Sequence, residues 1–177
     1  MVLNFVEYTA QGEDGAELIT EVARHVHAFN REHDNALGID FPAWEVGTSL
    51  NVAERIRVFG NKDALSKFIA QPRGLRLLGL GTIARTALAE APAGAPTAAV
   101  VRDNAANKTK PSHARRREAR GCSAFAGVHA KPGFALTFAS QTTKQDFQLK
   151  MRKKSVDAAP LRFNSYGLCV EGGLPQF

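Results

Sequence analysis

The sequence has five histidines, which are His25, His27, His33, His113 and His129. An imidazole binds metal ions and exchanges protons near neutral pH. His25 and His27 are two residues apart in a predicted helix, so their side chains point about 200° apart and cannot bind one metal ion. His33 lies two helical turns beyond His25, and the sequence has no His-Glu-x-x-His motif. We therefore predict no metal site and no cofactor.

Two of these histidines also have simpler, structural interpretations. His25 lies at the edge of an apolar helical stripe, three residues after Val22 and four before Phe29, which is typical of a partly buried packing histidine. His27 lies off that stripe and faces a different neighbour. Taken alone, either side chain is better explained by packing than by catalysis.

An RNA substrate would supply its own nucleophile, the ribose 2′-hydroxyl. An enzyme that cuts RNA in this way needs to orient that hydroxyl, to move protons and to hold the phosphate in line. One histidine and one hydroxyl donor suffice, without a metal ion. This chemistry fits the residue types present, but their spacing does not identify which of them are catalytic.

The positive charge is concentrated in one segment. The chain of 177 residues has a formal net charge of +6, and residues 102–120 hold seven bases and two acids, a net charge of +5. Such a patch is typical of a protein that binds a polyanion, with a solvated helix face as the alternative. The seven bases are Arg102, Lys108, Lys110, Arg115, Arg116, Arg117 and Arg120.

Most of these bases fall in a predicted helix, Pro111–Arg120, of sequence PSHARRREAR. Only Ala114 and Ala119 interrupt its polar residues, so its arginines must face outward. Guanidinium groups match phosphates and guanine edges. Side chains cannot enter the deep major groove of A-form RNA except where it widens near a helix end or loop. The helix therefore favours an RNA stem-loop as ligand, although charge alone leaves DNA open.

The elements that must position these residues indicate an α+β protein with an N-terminal ferredoxin-like domain. The order strand, helix, strand, strand, helix, strand is the split β-α-β arrangement of that fold, in which one sheet face is often free to contact RNA. Asp14 and Glu17 predict a capping box, and Pro72 is expected to end the second helix. The strands are predicted at Val2–Tyr8, Gly38–Phe41, Asn51–Phe59 and Arg76–Thr86, and the helices at Asp14–His33 and Lys62–Ala70.

The second half is predicted to be a C-terminal α+β domain with the arginine-rich helix and a β-hairpin. Ala89–Pro96 has the composition of a linker, so we place domains at 1–90 and 91–177. Thr97–Arg102 is extended, and Leu161–Cys169 is a last strand before a glycine-rich tail. Two alternating runs flank SQTTKQ and predict an antiparallel hairpin with one buried face; they are Phe134, Leu136 and Phe138, then Phe147, Leu149 and Met151.

Composition excludes several classes. Hydrophobic residues make up 44% of the chain, enough for a packed core. No apolar run reaches the roughly 18 residues of a membrane span, and the N-terminus has no signal-peptide pattern. Cys122 and Cys169 do not form a Cys-x-x-Cys pair and are expected to be reduced. We predict a cytoplasmic protein without a membrane partner.

Four patches of the sequence resemble a known family. They are VHAFN followed by GIDFP, the arginine helix PSHARRREAR, the hairpin SQTTKQDFQLKMR and the tail SYGLCVEGG. In this order they resemble the CRISPR repeat-processing endoribonucleases of type I-F systems, including those carried by CRISPR-associated transposons. The resemblance implies binding of a CRISPR repeat stem-loop and a cut on the 3′ side of the stem. It also implies that the enzyme stays on the product as a subunit of the type I-F surveillance complex, Cascade, as a monomer on RNA.

The resemblance also assigns residues. It implies three catalytic residues: His27 exchanging protons, Ser140 positioning the 2′-hydroxyl and Tyr166 supporting the histidine or the backbone. It implies that Phe147 stacks on the base of the stem, although its strand parity also predicts a core position. The other implied RNA-binding residues are Arg102, Asn104, Asn107, Lys108, Arg115, Arg116, Arg117 and Arg120.

Two other hypotheses remain beside the endoribonuclease. The same basic helix would serve a non-cleaving subunit that binds an RNA hairpin within a ribonucleoprotein. It would also serve a ribosomal-type or regulatory RNA-binding protein, in which His27 is structural and a CRISPR repeat is not preferred.

Overall fold

The structure, a computed structural model, describes residues 2–12, 14–48, 50, 53–79, 81–103, 119, 133–139, 145–157 and 160–177. The predicted arginine helix lies outside these residues except for Ala119.

The first sheet has the strand order of a ferredoxin-like domain. Four of its five strands are β1 (Asn4–Ala10), β2 (Gly38–Asp40), β3 (Arg55–Gly60) and β4 (Ile83–Arg85). They are ordered β2-β3-β1-β4, and each pairs with its neighbour in antiparallel fashion. This order places β3 between β1 and β2, as the split β-α-β arrangement requires. The predicted fold class, α+β with an N-terminal ferredoxin-like unit, is therefore confirmed.

Helix α1 (Gly15–Glu32) buries the stripe predicted from the sequence. Val22, Val26 and Phe29 are all at most 1% exposed, because spacings of three and four residues return to the same helix face. Asp14 is the N-cap residue, but its side chain makes no capping hydrogen bond. Its backbone oxygen instead accepts from the Glu17 N–H at 3.0 Å. The predicted capping box is therefore wrong.

The region after helix α2 (Lys62–Ile69) differs from its prediction. A third helix, α3 (Pro72–Gly79), occupies the first four residues of the range expected to be a strand, and β4 is the only strand among the described residues of that range. Pro72 begins this helix, because a residue in the first turn needs no N–H partner. Gly74 allows α3 to approach α1: a Cβ added there would lie 3.1 Å from Cε1 of His25.

The second sheet contains the predicted hairpin. Strands β7 (Phe134–Ala139) and β8 (Asp146–Ser155) are antiparallel, with Leu136 opposite Leu149 and Phe138 opposite Phe147. The register therefore places the two alternating runs on one face, as predicted. Strand β6 (Thr97–Arg102) is extended as expected, pairs with β8, and also pairs with β11 (Leu174–Pro175).

Two further predictions need correction. Part of the expected linker forms strand β5 (Ala89–Glu90), which pairs with β1. The expected last strand, Leu161–Cys169, is divided into β9 (Arg162–Phe163) and β10 (Cys169–Glu171), which pair with each other. The intervening residues 164–168 form a tight loop, because Asn164 and Gly167 favour a turn.

Side chains from both halves of the chain form a shared buried core. Val26 and Ile39 pack in one cluster with Leu149 and Leu168. The sheet face opposite the helices is also covered, because Phe59 packs with Ala99 and Leu174. The face that was expected to be free is thus partly occupied by the second half. The division at residue 90 stays a prediction.

A buried ion pair also joins the halves. Nζ of Lys153 lies 2.8 Å from Oδ1 of Asp40, and both side chains are at most 1% exposed. The ammonium group of Lys153 and the carboxylate of Asp40 are close but are not aligned as a hydrogen bond. Nζ instead donates a hydrogen bond to the Phe41 carbonyl at 3.1 Å. Close opposite charges out of water interact strongly, so strand β8 is held against the end of β2. Among the described helices, none is both long and apolar enough to span a membrane.

Candidate active site

His27 lies on α1 beside the buried stripe, and its ring faces the second half of the chain. The side chain is half-buried. Nδ1 lies 3.0 Å from the backbone oxygen of Ser165, 138 positions further along the chain. A carbonyl oxygen only accepts, so Nδ1 must carry the proton. In the neutral ring, Nε2 then has the free lone pair, and no described residue occupies it. One nitrogen of His27 is therefore fixed, and the other is available for proton transfer.

Tyr166 lies against the face of the same imidazole. The two ring centroids are 4.2 Å apart with 2° between their planes. Phe138 contacts both rings edge-on, at 6.0 Å from His27 and 5.3 Å from Tyr166. Aromatic pairs in these geometries are favourable beyond their buried area. The cluster therefore restricts rotation of the His27 ring about its side-chain bonds.

Phe147, the predicted stacking residue, belongs to the same cluster. Its ring lies 5.9 Å from Phe138 and 6.2 Å from Tyr166, and the side chain remains half-buried. The position of Phe147 fits both roles predicted from the sequence, packing in the core and stacking on RNA, because the ring contacts the core while part of it is exposed.

The loop that supplies Ser165 and Tyr166 is held by side-chain hydrogen bonds. Oδ1 of Asn164 accepts from the backbone N–H of Tyr166 at 2.9 Å and of Leu168 at 3.1 Å. Gly167, with φ of +76°, has the left-handed conformation that favours glycine. Its oxygen accepts from the Ile39 N–H at 2.9 Å. The loop is thus fixed both internally and to β2.

Arg24 links α1 to the strand that precedes Ser140. It lies one helical turn before His27, and its Nη2 donates to the Thr137 carbonyl of β7 at 2.9 Å. Arg24 and Arg73 both pair with Glu21. Burial raises the pKa of Glu21, but hydrogen bonds and charge from the two arginines outweigh it and lower the pKa overall. Glu21 is therefore an ionised partner that holds Arg24 in place.

His25 has the structural role expected for it. The side chain is 2% exposed, and Nε2 donates to Oε1 of Gln71 at 2.7 Å. Burial is the main cause that lowers the pKa of His25; the hydrogen bond with Gln71 opposes the shift, and the charge of Arg73 adds to it. A neutral, enclosed imidazole cannot reach a substrate, so this residue packs α1 against α3.

The predicted site residues are only partly within the described chain. His27, Tyr166 and Phe147 are brought together, and Arg102 lies exposed at the end of β6. The others lie outside the described residues; they are Ser140, Asn104, Asn107, Lys108, Arg115, Arg116, Arg117 and Arg120. Ser140 directly follows the last residue of β7, and that strand contacts the helix of His27 through Arg24.

Three site residues were missed from the sequence: Arg24, Asn164 and the backbone oxygen of Ser165. Turn-forming residues in NSYG could have indicated the loop, but its contact with His27 spans 138 positions. Within the described part of the chain, no three His, Cys, Asp or Glu side chains are grouped so that they could hold a metal ion.

The family model described as CRISPR-associated protein (Cas_Csy4) matches residues 6–177, which is nearly the whole chain. This range includes His27, Tyr166 and the basic segment. No curated protein matches the chain.

Proposed function

The chain belongs to the Cas_Csy4 family of CRISPR-associated proteins, and we propose that it is the endoribonuclease that matures CRISPR RNA by cutting beside a repeat stem-loop. Membership supports the coarser statement directly: this is a repeat-processing nuclease that binds CRISPR repeat RNA. The proposal extends to the mechanism of the cleavage, the position of the cut and the partners of the protein.

The observation that carries the proposal is the arrangement of His27. Its Nδ1 is bound to Ser165 O, its face is covered by Tyr166, and Nε2 is left without a partner among the described residues. A packing histidine is enclosed like His25, which is 2% exposed and has its Nε2 bonded to Gln71. A ring held in one orientation with one free nitrogen is suited to proton transfer with a bound substrate.

The reaction needs only groups of the protein and the RNA. The 2′-hydroxyl oxygen attacks the adjacent phosphorus, and the bond from phosphorus to the 5′-oxygen breaks. The products are a 2′,3′-cyclic phosphate and a 5′-hydroxyl. Nε2 of His27 takes the proton of the 2′-hydroxyl when the ring is neutral, or gives a proton to the leaving oxygen when it is charged. Ser140 orients the 2′-hydroxyl, and no metal ion takes part.

RNA recognition is assigned to the basic segment and its neighbours. Arginines of Pro111–Arg120 enter the major groove of the stem, Arg102 and the nearby asparagines contact bases, and Phe147 stacks on the base of the stem. The cut falls on the 3′ side of that stem. After cutting, the protein stays bound as a monomer on the RNA within the type I-F Cascade complex, and its cytoplasmic location stays a prediction.

The proposal is tested with labelled repeat RNA in the presence of EDTA. The wild type should give one shortened product, and a 2′-deoxy substitution at the cut nucleotide should abolish cutting but not binding. The His27→Ala change should slow cutting on the order of 10²- to 10⁴-fold, the usual contribution of general acid–base catalysis. Affinity for the hairpin should not change.

His33→Ala is the matched control, since it removes the C-cap histidine of α1, whose ring contacts Phe29. It should cut at the wild-type rate. A requirement for magnesium, or cleavage of the 2′-deoxy RNA, would contradict the mechanism. Tight binding without any cutting would instead identify a non-cleaving hairpin-binding subunit.

A further inference from the structure

Asn164 determines the shape of the loop that contacts His27. Its Oδ1 accepts from two backbone N–H groups, of Tyr166 and Leu168, at 2.9 and 3.1 Å. Its own N–H donates to the Leu168 oxygen at 3.0 Å, and its oxygen accepts from the Gly167 N–H at 2.9 Å. Four hydrogen bonds of one residue therefore close the loop and fix the direction of the Ser165 carbonyl.

The same helix that carries His27 also holds this loop. Asn30 follows His27 by three residues and is 1% exposed. Its Nδ2 donates to the Leu37 oxygen at 2.8 Å and reaches the Asn164 oxygen at 3.4 Å, while its Oδ1 accepts from the Leu37 N–H at 2.9 Å. Two points of α1, one turn apart, thus contact two successive residues of the loop.

Close packing of Gly167 against β2 and α1 prevents the loop backbone from changing its shape. A Cβ added to Gly167 would lie 3.1 Å from Cγ2 of Ile39 and 3.2 Å from Cγ1 of Val26. The loop backbone is therefore in contact with both β2 and α1. The Ser165 oxygen has little freedom to move while Asn164 keeps its hydrogen bonds.

We propose that Asn164 is a positioning residue for the cleavage reaction, acting through the Ser165 carbonyl on His27. This inference rests on the proposed function, because it assigns His27 the proton transfer. With the carbonyl fixed, Nδ1 carries the proton and Nε2 of the neutral ring has the free lone pair. Without Asn164 the carbonyl can turn away, so the neutral ring divides between two tautomers and rotates. Fewer molecules then present a free Nε2 to the RNA.

The expected kinetic signature separates rate from affinity. Asn164→Ala should lower the single-turnover rate roughly 10- to 100-fold, by analogy with the loss when a group that orients a metal-bound histidine is removed. Binding of RNA with a 2′-deoxy cut site should be unchanged. Asn164→Asp should restore most of the plateau rate, because a carboxylate accepts the same two N–H groups. The added charge can move the midpoint of the pH–rate profile without lowering its plateau.

Asn61→Ala provides a matched control. Oδ1 of Asn61 also accepts a backbone N–H, that of Ala64 at 2.7 Å, as the N-cap of α2. It is an asparagine of the same chemistry that does not contact the site. This variant should lower the melting temperature but leave the cleavage rate of the folded protein unchanged. Equal rate losses in Asn164→Ala and Asn61→Ala would overturn the proposal, since both would then reflect stability alone.

A spectroscopic measurement gives an independent readout. The ¹⁵N chemical shifts of the His27 ring distinguish a protonated from an unprotonated nitrogen. The neutral wild-type ring should show protonated Nδ1 only, and Asn164→Ala should show a mixture of tautomers. An unchanged single tautomer in that variant would overturn the proposal. If Asn164→Ala does not fold, Asn164→Ser takes its place, since its shorter side chain keeps an acceptor oxygen but lacks the reach of the amide Oδ1.

The two proposals fail in different ways. If His27→Ala cuts RNA at close to the wild-type rate, the proposed function is wrong and the role of Asn164 fails with it. If His27→Ala is inactive while Asn164→Ala cuts at the wild-type rate with the wild-type pH profile, only the positioning role is wrong.

Discussion

The imidazole of His27 and the phenol ring of Tyr166 are stacked in parallel, with centroids 4.2 Å apart and planes 2° from parallel. An aromatic contact of this kind is worth about 0.5–1.5 kcal/mol. The phenol ring is the part of Tyr166 that lies against the imidazole of His27.

The stack predicts different effects for two Tyr166 variants. Tyr166→Phe keeps the ring and should cut within about twofold of the wild-type rate. Tyr166→Leu removes the stack and should slow single-turnover cutting up to about tenfold, the rate equivalent of about 1.4 kcal/mol. Saturating enzyme separates this effect from affinity. If Tyr166→Phe is as slow as Tyr166→Leu, the hydroxyl rather than the ring is what matters.

Replacing Arg24 should slow cutting more than replacing Arg73, the other arginine that pairs with Glu21. Arg24→Ala removes the hydrogen bond to the Thr137 carbonyl, three residues before Ser140, and so loosens α1 from the strand that leads to the proposed hydroxyl donor. We expect a roughly tenfold slower single-turnover rate, since a hydrogen bond from a charged group is worth about 1.5–3 kcal/mol. Arg73→Ala removes an ion pair with the same Glu21 but no contact to β7, and it should cut almost normally. Equal rates for both variants would contradict this role.

Removing one partner of the buried Lys153–Asp40 pair should lower the free energy of unfolding strongly. Replacing both partners with apolar side chains should not. Lys153→Met leaves a carboxylate 0% exposed without its partner, and we expect a loss of about 3–5 kcal/mol in the free energy of unfolding. Urea denaturation measures this loss. The double variant Asp40→Leu with Lys153→Met should recover most of it, because apolar side chains need no charge partner. A loss under about 1 kcal/mol in the single variant would show that the carboxylate is reached by water.

His25 should make the fold less stable in mild acid. Its pKa is lowered in the folded state, so below the unfolded value of about 6.5 the unfolded chain binds more protons. The contribution of His25 to the free energy of unfolding is therefore fully present above about pH 7. It declines as the pH falls from there toward the pKa of His25 in the folded state. Melting temperatures measured between about pH 5 and 8 at constant ionic strength should fall more steeply for the wild type than for His25→Gln. Parallel curves would contradict this assignment.

Periodic patterns predicted the elements whose burial decides their geometry. The alternation of Phe134, Leu136 and Phe138 fixed the hairpin face and register, because a shift by one residue would expose the whole run. The stripe through Val22, Val26 and Phe29 likewise predicted α1. Helix α3 was missed because its eight residues include a proline and two glycines, which suggest an irregular strand until their contact with His25 is known.

The candidate site was less predictable than the fold. Residue spacing alone did not distinguish His25 from His27 as the catalytic histidine, and only the resemblance to a known family favoured His27. Their difference is tertiary: one ring is enclosed beside Gln71, and the other meets a carbonyl 138 positions away. The role of Asn164 could not be predicted at all, because its partners are backbone groups of a loop that was expected to be part of a strand.

That separation of 138 positions also constrains when the protein can act during its own synthesis. Helix α1 is translated before the Ser165 carbonyl and the Tyr166 ring that orient its histidine. Long-range contacts of this kind form only after the intervening chain is available. A partly translated chain therefore has the histidine but not the fixed imidazole, and cutting should begin only on molecules whose translation has passed residue 166.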